Sequence, residues 1–308
     1  MCDSIFRHIG ILRHRHIKKL MSSTIQYRRA KDRIFLGVVC VLSSLTMIPL
    51  FLILWELLKK GYKQINLSLF TEVAPSSMDA MLARISNEPI PGGILNGLSG
   101  TVLMLCMAIV MSIPVGILSG IYLAEHKDSK FSGAVRSLTD LLQGVPSIVV
   151  GVVVYAWVVR PMHSYSAFAG SVSLAIMMLP MIIRSTEESM KMVPGTLKEA
   201  GLALGASYST IILRILVPAA FGGLFTGSLL AICRVMGETA PLLLTALGAS
   251  SVNLNVTEPT SAIPLLIWEF YNDPNLANLI WTTSLLLLVF VLVINIIAKN
   301  IAKKWKIQ

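Results

Sequence analysis

The segment Pro194-Gly195-Thr196-Leu197-Lys198-Glu199-Ala200-Gly201-Leu202-Ala203-Leu204-Gly205 decides how this chain is read, because it is a polar, helix-forming stretch between two long apolar runs. Pro194 and Gly195 interrupt the run before it. Thr196 and Glu199 stand three apart, the capping-box spacing in which a threonine hydroxyl and a glutamate carboxylate satisfy each other's backbone N–H groups at a helix start. Gly205 is placed to supply the left-handed residue that ends a helix. A second short helical run, Ser207 to Leu216, leads to Pro218. The apolar run that follows, to Leu243, carries Arg234 and Glu238 within Arg-Val-Met-Gly-Glu-Thr-Ala-Pro. Two elements therefore lie side by side. One is a polar element that a soluble partner can grip; the other is an ionisable pair within a membrane span, where charge is costly and usually functional. On helix signals alone the polar element reads equally well as a plain helix-turn-helix connector.

The rest of the chain is strongly apolar. Of 308 residues, 55% are hydrophobic and 14% charged, and the mean hydropathy is +0.73. Several runs of about 20 mostly apolar residues match the length a helix needs to cross a bilayer. The alternating pattern of a membrane barrel is absent from the sequence. The expected class is an all-α polytopic membrane protein.

A net charge of +10 would suit a nucleic-acid partner if the cations shared one face, but they are distributed by loop. Nine Lys/Arg fall in residues 1–33, three between Lys127 and Arg136, four between Arg184 and Arg214, and four from Lys299 onward. The alternate loops hold Lys59, Lys60, Lys63, Arg84 and Arg160, and Arg234 is alone in a span. This is the positive-inside pattern, and it places both termini and the 184–217 segment in the cytoplasm. Lys59, Lys60 and Lys63 are the main exception. The four cysteines are scattered, with no disulfide framework and no CxxC pair. His8, His14 and His16 sit in the basic arm without carboxylate or cysteine neighbours that would favour a metal site. The long polar lead and the long first span indicate a retained anchor rather than a cleaved signal.

In chain order, residues 1–33 read as a basic cytoplasmic arm, either mobile or lying on anionic lipid. Residues 34–57 are the first transmembrane helix, kinked at Pro49. Residues 58–96 are an extracytoplasmic segment ending in the turn-rich Pro89-Ile90-Pro91-Gly92-Gly93. Five further spans follow, at about 98–123, 138–159, 168–183, 219–243 and 279–297. The third is broken at its start by Gln143-Gly144-Val145-Pro146, and Pro264 to Phe270 forms a re-entrant or interfacial helix. Residues 301–308 are a cytoplasmic tail. The pairs Gly116-xxx-Gly120 and Gly223-xxx-Gly227 would let neighbouring helices approach closely.

Glu199-Ala200-Gly201, three intervening residues, Gly205, nine more and then Ile215-x-Val217-Pro218 match the coupling-loop signature of ABC-importer permeases, with Val217 where leucine is usual and Gly201 where alanine often stands. Further pieces narrow the match. They are Gly92-Gly93-Ile94 to Gly100-Thr101, Ile113-Pro114-Val115-Gly116 to Tyr122-Leu123-Ala124-Glu125, Gly144-Val145-Pro146-Ser147-Ile148, Leu179-Pro180 with Arg184 and Glu187, and Gly237-Glu238-Thr239-Ala240-Pro241-Leu242. Over nearly all of the chain after residue 85 the sequence resembles the phosphate-specific ABC-importer permease family, in its PstA-type subunit. The first 85 residues match weakly, and the histidine-containing arm is outside the pattern. The resemblance implies a type I ABC-importer permease fold, with residues 97–300 as permease core and 194–218 as coupling loop. It implies an inner-membrane subunit that moves inorganic phosphate inward by alternating access without chemistry of its own. The implied partners are a second permease subunit, expected as a paralogue, two ATPase subunits that carry ATP and Mg, and a periplasmic phosphate-binding protein. The absence of a Gly-xxxx-Gly-Lys-Ser/Thr loop agrees that ATP, if used, is handled by another chain.

Thr196, Glu199, Ala200, Gly201, Gly205, Ile215 and Pro218 are thus the expected ATPase-coupling residues; Arg234, Glu238 and Thr239 are the expected pathway residues. Arg234 and Glu238 are four apart and on a continuous helix would share one face. A guanidinium suits a tetrahedral oxyanion, with the carboxylate neutralising it between cycles; the competing reading is a structural ion pair. A permease for molybdate or sulfate remains an alternative. Gly97-Leu98-Ser99-Gly100 resembles an intramembrane serine protease motif, but no histidine lies in a span to serve as base. A membrane scaffold would explain the spans but neither the coupling-loop spacing nor the intramembrane charges.

Overall fold

The computed structural model describes the backbone of residues 2–86, 88 and 90–305, and the side chains among them apart from those of residues 2–28, 30, 84 and 301–305. The side chains of His8, His14 and His16, the tail 301–308 and Pro89 accordingly lie outside what is described. Among the described residues there is no strand, only an isolated bridge between Leu247 and Thr260.

The chain separates into two units, Met1–Leu58 and Lys59–Gln308. The first is occupied by one helix, α1 (Cys2–Gly61), which contains Pro49 without breaking there. Its apolar side chains from Ile34 to Leu52 are exposed on all sides, as a helix immersed in lipid requires. The second unit contains α2 (Ser77–Ile85), α3 (Leu95–Glu125), α4 (Lys130–Gly144), α5 (Ser147–Met162), α6 (Ala167–Lys191), α7 (Gly195–Ala203), α8 (Tyr208–Val235), α9 (Ala240–Thr245), α10 (Ile263–Asn272) and α11 (Ala277–Trp305). Among the described residues five helices are long and apolar enough to cross a membrane, and six if α4 and α5 count as one bent span. The protein is a multi-pass helical membrane protein.

Three boundaries differ from the sequence expectation, each for a backbone reason. The third span does not run straight from Leu138 to Val159: α4 and α5 meet at 108°. Pro146 disfavours helix at Val145, which is extended at ψ 129°. The fifth span begins at Tyr208 rather than Ala219, because the helix passes through Pro218. It does so by widening: Ile212–Leu216 is a π turn in which the Val217 N–H reaches the Ile212 carbonyl. The wider turn makes room for a ring that would otherwise strike the preceding turn. The same device, Tyr155–Val159, precedes Pro161 in α5. The fifth span also stops early, at Val235, and Gly237-Glu238-Thr239 form a break before α9.

The packing centre is α6, sandwiched between α3 and α8. On one side Gly116 and Gly120 bring α3 so close that a Cβ at Gly116 would lie 2.6 Å from Ile182 Cγ2, and one at Gly120 2.5 Å from Thr186 Cβ. On the other, Gly223 and Gly227 of α8 leave room for Ser189 and Ser185 and nothing larger. Both small-residue pairs thus converge on one helix, the membrane solution for close approach without a water-driven core. Met104, Ala108, Leu174, Met178, Ile182, Ala231 and Val235 fill the centre. Three buried hydroxyls find acceptors on their own helix: Ser112 donates to the Ala108 carbonyl, Ser171 to that of Ala167 and Ser189 to that of Ser185.

The expected helix near Pro264–Phe270 is α10, whose Phe270 is wholly buried. Thr101 of α3 accepts the Ile263 N–H at 2.9 Å and so caps its start. Gly100 permits this approach, since Ser261 lies directly against it. The end of α9 and the loop before α10 close the start of α6: the N–H groups of Ser166, Ala167 and Phe168 donate to the carbonyls of Thr245, Glu258 and Val256. Asn253 and Asn255 hold the Glu258 carboxylate at 2.8 and 2.9 Å, fixing that loop.

Candidate coupling segment and substrate path

Between α6 and α8 the chain leaves the helical body as α7, turns, and returns. The turn is a Schellman motif: the Ala206 N–H reaches the Gly201 carbonyl at 3.1 Å and the Gly205 N–H reaches that of Leu202 at 2.9 Å. Gly205 has φ +74°, and no atom lies within 4 Å of where its Cβ would be. The glycine is needed for conformation alone. Ser207 caps the start of α8, accepting the Thr210 N–H. The expected capping box between Thr196 and Glu199 does not form. Pro194, extended at ψ 131°, takes the cap position, so Thr196 is already inside the helix and its hydroxyl does not cap.

One face of α7 rests on the start of α8. Gly201 is buried there, with Ile211 and Ile215 so near that a Cβ would sit 3.0 to 3.2 Å from them. The other face is open: Thr196, Glu199, Ala200, Leu202 and Gly205 are exposed, and Leu204 is 88% exposed. With Leu202 also exposed, the tip presents apolar side chains that a partner's surface can cover.

Two ionic clusters tie this segment and its neighbours together. Glu125, the last residue of α3, accepts from Lys198 Nζ at 2.5 Å and from the Tyr208 hydroxyl. Lys198 also stands over the Tyr208 ring, 4.9 Å from its centre. The Glu125 carboxylate raises the Lys198 ammonium above its usual pKa. Nearby, Glu187 of α6 is 1% exposed and is held by Arg136 at 2.7 Å and Lys191 at 2.5 Å, with Arg184 at 3.8 Å. The same Arg136 guanidinium donates to the Leu123 and Lys127 carbonyls at 2.7 and 3.0 Å, satisfying the end of α3.

Arg234 lies in the last turn of α8 and Glu238 in the break after it. They do not share a helical face, since Gly237 and Glu238 have left the helix, and among the described residues neither belongs to an ion pair. Arg234 is exposed; Glu238 and Thr239 are half-buried, and Thr239 is the cap residue just before α9. A cavity of about 20 Å³ is lined by Arg234, Gln143, Val145, Pro180 and Met181, bringing the α4–α5 bend next to the end of α8. Gly151 lets α9 close onto α5, with Pro241 Cα 2.8 Å from where its Cβ would be.

The profile described as binding-protein-dependent transport system inner membrane component matches residues 112–307. The chain belongs to this family of transport-system inner membrane components. A phosphate transport system permease protein PstA from Yersinia pestis is 39% identical over 287 residues, covering 91% of this chain and 92% of that protein. A probable phosphate transport system permease protein PstA from Methanocaldococcus jannaschii is 34% identical, covering 87% of this chain and 92% of its own length. Among solved structures, a chain of a bacterial alginate ABC transporter aligns with TM-score 0.62 at 14% identity over 89% of this chain and 96% of its own. A chain of the MetNI methionine ABC transporter, in an inward-facing conformation, aligns with TM-score 0.57 at 21% identity over 68% of this chain and 94% of its own. The fold is that of type I ABC-importer permeases.

In this inner membrane component the structure gathers Thr196, Glu199, Ala200, Gly201, Gly205, Ile215 and Pro218 into one projecting element and its root. It leaves Arg234, Glu238 and Thr239 near one another along the chain but not paired. Sequence reasoning missed the bond from Glu125 to Lys198 and Tyr208, and missed Arg136. Partners 73, 83 and 51 residues apart leave no local spacing to find them. The one available signal was that Glu125 and Arg136 are charges at the edges of spans, where an unpaired charge is expensive.

Proposed function

We propose that this chain is a membrane-spanning permease subunit of an ATP-driven importer for inorganic phosphate, acting by alternating access in the bacterial inner membrane. The observation that carries this reading is likeness along almost the whole chain to phosphate transport system permease proteins, 39% identical in one case over 91% of its length. The projecting turn at Gly205, with Leu204 bare at its tip, supports it: this is a surface for a groove on a soluble partner. That partner is an ATPase chain, which holds ATP and Mg; the permease chain binds neither and performs no hydrolysis. A second, paralogous permease subunit completes the pathway and a periplasmic phosphate-binding protein delivers the anion. Both termini and the 194–218 coupling segment face the cytoplasm, as the charge distribution requires.

Arg234 is the residue of this chain on the phosphate pathway, with Glu238 and Thr239 beside it. What supports this is its exposure on the side of a spanning helix without a carboxylate partner. A fixed charge there would be costly unless an anion, or the neighbouring subunit, faced it. Closure of the ATPase pair would move the coupling segment and rock the attached spans around this point.

The test is uptake of radiolabelled phosphate in cells with the gene deleted and restored, with molybdate and sulfate as competing anions. Restoration of phosphate uptake that excess molybdate or sulfate does not suppress is expected; uptake of another oxyanion instead would overturn the substrate assignment. Arg234→Met and the double replacement Arg234→Met with Glu238→Gln should both abolish uptake in an assembled complex. Uptake regained in the double variant would remove Arg234 from the phosphate pathway.

A further inference from the structure

Resting on the reading of this chain as a coupled permease, we infer that Glu125 is the positioning residue that ties the coupling segment directly to the end of α3, so that α3 follows the segment's displacement in register. α7 continues directly into α6 and α8, so any partner's push is felt by those two helices. α3 packs on α6 through Gly116 and Gly120, and Glu125 adds a direct side-chain link from the segment to the end of α3. Its carboxylate is joined to Lys198, on the arm before the Gly205 turn, and to Tyr208, on the arm after it. A single group therefore fastens both arms of the turn to α3.

The surroundings make the link stiff. Glu125 is only 10% exposed at its side chain while Lys198 is 34% exposed, so the acid is fixed and the lysine is the part that reaches in. Lys198 makes three contacts within the cluster, to the carboxylate, the Tyr208 hydroxyl at 3.4 Å and the Tyr208 ring. Beneath it Ala124, Met190, Ile211, Leu216 and Ala220 form an apolar seat. A charged pair with two donors adds a directional constraint to this apolar packing. α3 in turn bears on α6 through Gly116 and Gly120, so a pull at Glu125 is delivered to the packing centre.

The test uses the full complex of permease subunits, ATPase and binding protein in proteoliposomes, reading phosphate uptake and ATP hydrolysed per phosphate. Glu125→Gln and Lys198→Met are each expected to leave assembly and hydrolysis near wild type while uptake falls roughly tenfold, the weight of about one charge-assisted hydrogen bond. The ATP consumed per phosphate should rise by the same factor. The exchange Glu125→Lys with Lys198→Glu, which rebuilds the pair in reverse, should recover part of the uptake. Wild-type stoichiometry in Glu125→Gln overturns the inference, and so does loss of ATPase association, which would make Glu125 a docking support. If the unaltered complex hydrolyses ATP but moves no phosphate, it is the proposed function that fails, not the role of Glu125.

Discussion

Replacing Gly205 with asparagine, alanine and valine in turn should give a graded loss of coupling. The residue sits at φ +74°, and no atom lies within 4 Å of an added Cβ. A side chain therefore meets no clash, and the whole penalty is the cost of the left-handed conformation. That cost is small for asparagine, about 1 kcal/mol for alanine and about 2 kcal/mol for a β-branched residue. These values correspond to factors of about 5 and about 30 against the native turn. A turn that opens loses the hydrogen bonds to the Gly201 and Leu202 carbonyls and moves Leu204 away from its presented position. Co-purification of the ATPase and phosphate uptake should fall in the order glycine, asparagine, alanine, valine, while membrane insertion is unchanged. A Gly205→Val protein that couples normally would remove the turn from the mechanism. An asparagine variant worse than valine would show that contact, not backbone conformation, governs the site.

Three further outcomes follow from the packing, the ion network and the charge pattern. Gly120→Ala should lower the thermal midpoint of the detergent-solubilised protein, because its Cβ would lie 2.5 Å from Thr186 and 2.7 Å from the Ile183 carbonyl; overpacking of this kind costs about 1–3 kcal/mol. Gly133→Ala, in open space on α4, should leave the midpoint unchanged or raise it, and equal effects would refute the packing argument. Arg136→Met should destabilise by about 2 kcal/mol, less than a fully isolated buried charge because Lys191 still faces Glu187. Adding Glu187→Gln should recover part of that loss in the same melting assay, and no recovery would count against the network. Single cysteines at Ser76 and Ser207, both exposed, should differ toward an impermeant thiol reagent added to whole cells; labelling at Ser207 but not Ser76 would invert the orientation.

The membrane class, the approximate spans and the helix-turn-helix between two of them were legible because they rest on local signals. Apolar length and loop charge need only composition, and Gly205 needs only its place after a helical run. Gly116-xxx-Gly120 and Gly223-xxx-Gly227 were readable as close-approach sites, although not that both serve α6. The failures were also local. A capping box at Thr196 was outcompeted by Pro194, whose own backbone already takes the cap position. Pro218 looked like a boundary, but a π turn carries the helix through it. The helix drawn through Gly237 and Glu238 ends at Val235, so the four-residue spacing of Arg234 and Glu238 does not make them neighbours on one face.

By itself the sequence determined that the chain crosses a membrane several times and exposes a polar turn between spans, since burial of apolar length and backbone preference act over a few residues. Only the tertiary structure decided which charges meet. Glu125 finds Lys198 and Tyr208, and Arg136 finds Glu187, across 51 to 83 residues of chain. Such pairs form because a charge at the edge of a low-dielectric body must take whichever partner the packing of whole helices brings within reach. That packing is set by glycines on α3 and α8 facing α6, a relation between helices that no window along the chain contains.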